Sequence, residues 1–296
     1  MRVPASSANL GPGFDALGLA LALHNELTIA EGEGVTVSVR GEGDRELATD
    51  GENLVARAAR VVFEVADRPF RGLEIHCMNR IPLGRGLGSS AAAWVGGLLG
   101  ANALLGAPLD RPALLTLAAR GEGHPDNVAA ALYGGMTVSC ATASGVIAVS
   151  LPVPSSLSWV VLIPQLTCST AEARAVLPAS VPRADAVFNV QRVALMLASL
   201  QVLQTDLLRT AMEDRLHEPY RLRLFPWMPA VASAAREAGA LGCVLSGAGP
   251  SLLALVTEGA ARVADAMTRA IAVAGVAGRA CVLGVDPVGA TVEPRG

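Results

Sequence analysis

No lysine occurs in this chain of 296 residues, so each of its 23 basic residues is an arginine. Walker A phosphate binding, the strand lysine of protein kinases and lysine Schiff-base chemistry all need an ammonium at a fixed place, and all three are excluded. Aromatic residues are scarce, 3% against a hydrophobic content of 52%. The core must then be built from Ala, Val and Leu, as in α/β layers packed with small side chains. Cys77, Cys140, Cys168, Cys243 and Cys281 are odd in number and lack CxxC spacing, which argues against a disulfide framework or a zinc site. A net charge of −3 without a basic block offers no nucleic-acid backbone a surface, so no nucleic-acid partner is expected. The longest weakly polar run, Ala91 to Pro108, holds Asn102 and four glycines and reads as a buried helix, so no membrane partner is expected either. The opening MRVPASSANLGPG carries one charge and no continuous apolar run of a secretory leader, so the expected location is cytoplasmic.

The length suits two domains, and the turn-rich LPVPSSLS, Leu151 to Ser158, is the best boundary, giving 1–152 and 153–296. Alternation predicts strands over 35–40 and 72–81 and again across 134–153. Helices are expected over 90–105, 111–120 and 127–132. In the second half WVVLIP reads as a buried strand, 185–212 as one long helix and 228–238 as another. GCVLSGAGPSLLALV reads as two strands around a glycine turn, then a helix over 260–274 and a closing strand over 278–285. This βαββαβ-like order predicts an α+β sandwich.

Four stretches carry chemistry. In PLGRGLGSSAAA three glycines let backbone approach a ligand just before a helix, whose first N–H groups form an anion site. The plainer alternative is a glycine turn with a serine N-cap. Arg85 places positive charge where a phosphate would sit, and Ser89 with Ser90 exceeds what one cap needs, leaving a hydroxyl for Mg²⁺. In PASSANLGPGFDALGLAL, Asn9 and Asp15 flank a Gly-Pro-Gly loop; they suit a small polar ligand, or Asp15 caps a helix. RGEGHPDNVAAALYGG crowds Glu122, His124, Asp126 and Asn127 before a helix, as a solvated capping loop or a catalytic cluster. LSGAGPSLLAL is a second glycine loop, between strands, and reads equally as a tight connection or a ligand contact. Arg174 and Arg221 are candidates for gripping a carboxylate, although lone arginines are usually solvated.

Taken in order and spacing over about residues 3–255, these four stretches resemble the signature segments of the GHMP small-molecule kinases, and ANLGPGFD resembles the branch that phosphorylates homoserine. The resemblance implies an α+β, two-domain GHMP kinase fold, with an N-terminal domain like domain 2 of ribosomal protein S5 and a ferredoxin-like C-terminal domain. It implies that Pro82, Leu83, Gly84, Arg85, Gly86, Leu87, Gly88, Ser89, Ser90, Ala91 and Ala92 hold the triphosphate of ATP, with Asn53 near the adenine. Ser90, with Ser89 as alternate, binds Mg²⁺. Many members carry a glutamate in the preceding helix at the place of Arg120, which here moves the metal carboxylate to Glu122. Asn9, Asp15, His124, Asn127, Arg174 and Arg221 match substrate positions for L-homoserine, the two arginines on its carboxylate and Asp15 on its ammonium. Catalytic roles fall to Asp126, Asn127 and Arg85, with the existence of a general base left open. Mevalonate and diphosphocytidyl-methylerythritol kinases commonly place a lysine in the N-terminal motif, which is absent here. A different GHMP kinase, or a non-catalytic ligand-binding member of the fold, is the alternative, and a homodimer is the expected assembly.

Overall fold

The structure, a computed structural model, describes residues 1–293. Its first half is built on a six-stranded sheet comprising β1 (Arg2–Ala8), β2 (Leu17–Glu31), β3 (Gly34–Gly41), β4 (Gly72–Asn79), β5 (Met136–Thr142) and β6 (Gly145–Leu151). The order is β3-β4-β2-β5-β6 with β1 also paired to β2; only β3 and β4 run parallel. The long β2 pairs with β1 and β5 through its first part and with β4 through its last.

Helices α1 (Leu54–Val65), α2 (Ser89–Leu104), α3 (Arg111–Glu122) and α4 (Asp126–Tyr133) cover this sheet. In α1 the buried Val55, Ala58, Ala59 and Val62 recur at helical spacing, and the Asn53 side chain caps the first turn by accepting from Val55 N at 3.0 Å. α2 is apolar all round and buried, as its lack of charge requires. Gly97 lets it lie against α1: a Cβ there would collide with the Val55 carbonyl oxygen.

The second half holds a four-stranded antiparallel sheet of β7 (Ser158–Pro164), β8 (Gly242–Leu245), β9 (Leu252–Val256) and β10 (Gly278–Leu283), in the order β10-β7-β9-β8. Between β7 and β8 run α5 (Thr170–Ala175), α6 (Arg183–Val202), α7 (Leu208–Ala211), α8 (Glu218–Arg221) and α9 (Met228–Glu237); α10 (Ala260–Val273) joins β9 to β10. This is the expected βαββαβ order, with Val231, Ala235, Val263, Met267 and Ile271 of α9 and α10 packed on the sheet. After β10 the chain returns to the first sheet, where Gly284 O accepts from Ala22 N at 2.8 Å and Thr291 N donates to Arg2 O at 3.0 Å. The last residues of the second half therefore pack with the first, which the division at 152/153 does not anticipate.

One expectation needs correction, and two of the plainer alternatives fall. The long helix over 185–212 stops at Val202, because Leu203 turns left-handed (φ 58°) and closes the helix on the Ser199 carbonyl. A short 3₁₀ turn, Thr205–Leu207, and α7 follow. Asp15 caps no helix: it sits in a turn at φ 56° and the chain enters β2 two residues later. Nor does a serine cap α2; the capping position is Gly88, left-handed at φ 70°, with no side-chain bond, and both serines lie inside the first turn. β1, β2 and α1 arise without having been anticipated. Among the described residues, no helix is long and apolar enough to cross a membrane.

Candidate active site

A cleft of about 360 Å³ opens between the halves, walled by the loop Pro82–Ser90, by Glu122, His124 and Asn127, and by Cys168, Ser169 and Thr170 from across the boundary. The loop is shaped by three left-handed glycines, Gly84, Gly86 and Gly88. Two have no room for a side chain: a Cβ on Gly86 would strike the Ser246 carbonyl oxygen, and one on Gly88 the Ser6 hydroxyl. The loop carbonyls are tied inward, Gly84 O to Cys168 N (2.8 Å), Gly86 O to Ser246 Oγ (2.7 Å) and Leu87 O to Ser6 N (3.1 Å). Meanwhile the N–H groups from Leu83 to Ala91 meet no acceptor among the described residues. A row of unpaired amides at the start of a buried helix is a site for a polyanion.

LSGAGP, between β8 and β9, serves as the buttress of that loop. Ser246 Oγ donates to Gly86 O and lies 2.8 Å from Ser7 Oγ, while Gly247 N donates to Ala8 O at 3.1 Å. Arg85 is anchored too, giving Nε to Pro164 O (2.9 Å) and Nη1 to Leu83 O (3.0 Å). Asn53 lines the cleft, yet both ends of its amide are engaged, on Val55 N and on Ala48 O (2.7 Å).

At the floor, Ser90 Oγ donates to Glu122 Oε1 at 2.5 Å. Burial pushes the Glu122 carboxyl above its ordinary value, partly offset by the Ser90 bond and His124. Arg120, two residues earlier, is exposed and absent from the cleft wall, so the helix turns Glu122 and not residue 120 to the loop. His124 Nδ1 lies 2.8 Å from Asp126 Oδ1, which also accepts from Asn127 N at 2.7 Å. Burial alone would lower the His124 pKa; Asp126 and Glu122 outweigh it and raise it. Asp126 is 2% exposed and absent from the cleft wall, beneath His124 and Asn127, which do reach it. Ser6 holds Asn127 through Oδ1 at 2.9 Å.

Beyond this floor the structure gathers Asn9, Asp15, Arg174 and Arg221. Arg174 grips Asp15 with both terminal nitrogens, at 2.5 and 3.1 Å, the pair about one-third exposed. Arg174 also lies within electrostatic reach of His124 and Asp126, which joins the two clusters. Asn9 Oδ1 accepts from Asp15 N (3.0 Å) and its Nδ2 donates to Gly247 O (3.0 Å). Arg221 is 2% exposed, donating to Ala173 O (3.2 Å), Gly247 O (2.9 Å) and His217 Nδ1 (3.0 Å). Both guanidiniums lie over the Phe14 ring, at 5.4 and 5.6 Å.

Sequence reasoning missed His217. Its Nε2 donates to Gly11 O at 2.8 Å, it stacks on Phe14 at 5.2 Å, and burial together with Arg221 lowers its pKa, so the neutral ring accepts from Arg221. The signal lay in HEPYR, where His217 and Arg221 are one helical turn apart.

Comparison with known proteins matches residues 53–135 to the GHMP kinases N terminal domain and residues 196–273 to the GHMP kinases C terminal domain. A homoserine kinase of Moorella thermoacetica is 49% identical, with 93% of each chain covered. The chain belongs to the GHMP kinase family. A homoserine kinase of Clavibacter michiganensis is 47% identical over 99% of this chain and 93% of its own. The crystal structure of homoserine kinase from Cytophaga hutchinsonii superposes with a TM-score of 0.87 at 34% identity, covering 97% of this chain and 95% of that one. The two-sheet architecture is thus that of a two-domain GHMP kinase, an ATP-dependent small-molecule kinase.

Proposed function

We propose that this GHMP kinase transfers the γ-phosphoryl of MgATP to the hydroxyl of L-homoserine, giving O-phospho-L-homoserine and ADP, a step towards threonine. The observation that carries the reading is the group of charges beside the phosphate loop. Asp15 and Arg174 are complementary to the ammonium and carboxylate of an amino acid, with buried Arg221 beside them. A neutral sugar or alcohol has nothing to exchange for a two-toothed Asp–Arg pair; a zwitterion replaces each half with a new ion pair.

The unpaired amides from Leu83 to Ala91 receive the triphosphate, with Ala92 continuing the turn, and Arg85 stiffens the loop through its two carbonyl bonds. The hydroxyl of Ser90 and carboxylate of Glu122 are hard oxygen donors side by side, and among the described residues no group of three or more His, Cys, Asp or Glu forms a cage of its own. That suits Mg²⁺, which takes few protein ligands and completes its shell from phosphates and water. Held there, the ion would supply charge neutralisation to the transferring group. His124 and Asn127 face the acceptor, and Asp126 holds both from below. The acceptor oxygen attacks phosphorus in line, the bond to the β–γ bridging oxygen breaks with its electrons going to ADP, and the acceptor proton is released. Positioning and charge placement do most of this work, since phosphoryl transfer asks for little covalent chemistry from the protein.

The test is ADP release by the purified protein with MgATP and, in parallel, L-homoserine, L-serine, mevalonate, galactose or no acceptor. Turnover on L-homoserine alone is the expected result. ATP binding without turnover on any acceptor would favour a non-catalytic ligand-binding role.

A further inference from the structure

The cleft is also floored by one face of the first sheet. Leu27 of β2 stands opposite Cys77 of β4, and Val39 of β3 is paired beside Cys77; all three line the cleft, with Leu47 and Leu54 also in its wall. Burial pushes the Cys77 thiol up to about 11, so this floor carries no charge. Two residues before Leu27 and two after Cys77, and so on the same face, come Asn25 and Asn79. They are 4% and 8% exposed, and both line the cleft.

Each amide is half spent. Asn25 Oδ1 accepts from Arg80 N (2.8 Å) and Ile81 N (3.0 Å), which fixes its orientation, and its Nδ2 meets no partner among the described residues. Asn79 Nδ2 donates to Glu42 O (3.2 Å), and its Oδ1 is unpartnered. Neither free atom is sealed from solvent, although both residues are buried, so each faces the cleft. The two do not bond each other. One free donor and one free acceptor stand on neighbouring strands, above an uncharged apolar floor.

Resting on the reading that ATP is the phosphoryl donor, we infer that Asn25 and Asn79 select its base: Asn25 Nδ2 donates to a ring nitrogen of adenine and Asn79 Oδ1 accepts from the 6-amino group. Adenine presents a ring-nitrogen acceptor beside an exocyclic donor on either of its edges. Guanine in the same pose turns its carbonyl oxygen toward the Asn79 acceptor, and a buried acceptor facing an acceptor is heavily penalised. Asn53, by contrast, has both ends of its amide engaged, on Val55 N and on Ala48 O.

The experiment compares ATP, GTP and purine riboside 5′-triphosphate as donors, by KM, and their diphosphates by calorimetric binding, on the unmodified protein and on Asn25→Asp. That variant keeps Oδ1 for Arg80 N and Ile81 N and turns the free donor into an acceptor; the buried negative charge it adds weakens all three nucleotides, so the readout is the ratio between them. The unmodified protein should prefer ATP to purine riboside triphosphate by about tenfold and to GTP by more. Asn25→Asp should cut the ATP-over-GTP preference by about tenfold or more, in KM and in diphosphate binding alike. Normal ATP turnover with equal KM for ATP and the 6-unsubstituted purine overturns the base-reading role and leaves the kinase reading standing; this arm needs no variant to fold. An unmoved preference in a folded Asn25→Asp protein does the same. Failure of the unmodified protein to bind any of the three nucleotides overturns the ATP reading and this inference together.

Discussion

The two ends of the site are made of different material. The end proposed for the phosphates is backbone: left-handed Gly84, Gly86 and Gly88, carbonyls tied inward and amides left open, buttressed by Ser6 and Ser246. The end proposed for the acceptor is side chain: Asp15, Arg174 and Arg221, brought from three separate parts of the chain and already bonded to one another or to carbonyls. A backbone cradle is rigid and ready before its ligand arrives, because its shape is fixed by φ angles that few residues tolerate. A side-chain charge pair must be exchanged when a ligand comes, so it selects the ligand by charge.

The largest effect should come from breaking the backbone end. Gly88→Val puts a β-branched side chain at φ 70° and against Ser6 Oγ. It should cost about 2–4 kcal/mol in denaturant unfolding and lower kcat/KM about 100-fold or more, with ATP binding lost before acceptor binding. Next is the acceptor end. Arg221→Ala should raise the homoserine KM about 100-fold and leave the ATP KM within a few fold; equal loss of both would deny the carboxylate role. Ser90→Ala tests the boundary between the ends: the Mg²⁺ concentration for half-maximal rate should rise about tenfold, and an unchanged metal dependence moves the ligand to Ser89.

The smallest effect concerns stability alone. Glu218 is half-buried with its carboxyl turned inward to accept from Leu245 N at 2.6 Å, and desolvation raises its pKa from 4.5 to about 8. Between those values the folded protein holds a proton that the unfolded chain has lost, so this carboxyl makes stability fall as pH rises from about 4.5 to 8. Glu218→Gln keeps the acceptor and removes the ionisation. The variant should be the more stable protein at pH 8 and lose part of the melting-temperature slope between pH 5 and 8; identical slopes would remove Glu218 as its source.

The same contrast governs how much was legible in the sequence. The glycine loop was, because its geometry demands Gly-x-Gly-x-Gly at the start of an Ala-rich helix. The second sheet was, since each strand is a compact apolar run between turns. Nothing in Arg174 or Arg221 alone marks them among 23 arginines, and only their resemblance to family positions singled them out. β2 was missed because LGLALALHNELTI begins as a continuous apolar run buried on both faces, without the alternation that marks a half-exposed strand. Asn25 and Asn79 stayed invisible for a related reason: a cross-strand pair exists only once register is set. Ser246 was legible as part of a glycine loop but not as a prop for another.

The most direct test of this two-material site is a crystal structure with ADP and L-homoserine bound. The account predicts that Pro82–Ser90 keeps its present backbone to within about 1 Å while the Asp15–Arg174 pair is opened, with the ammonium on Asp15 and the carboxylate between Arg174 and Arg221. An intact Asp15–Arg174 pair, with the amino acid bound elsewhere or the glycine loop rebuilt around the nucleotide, would contradict it.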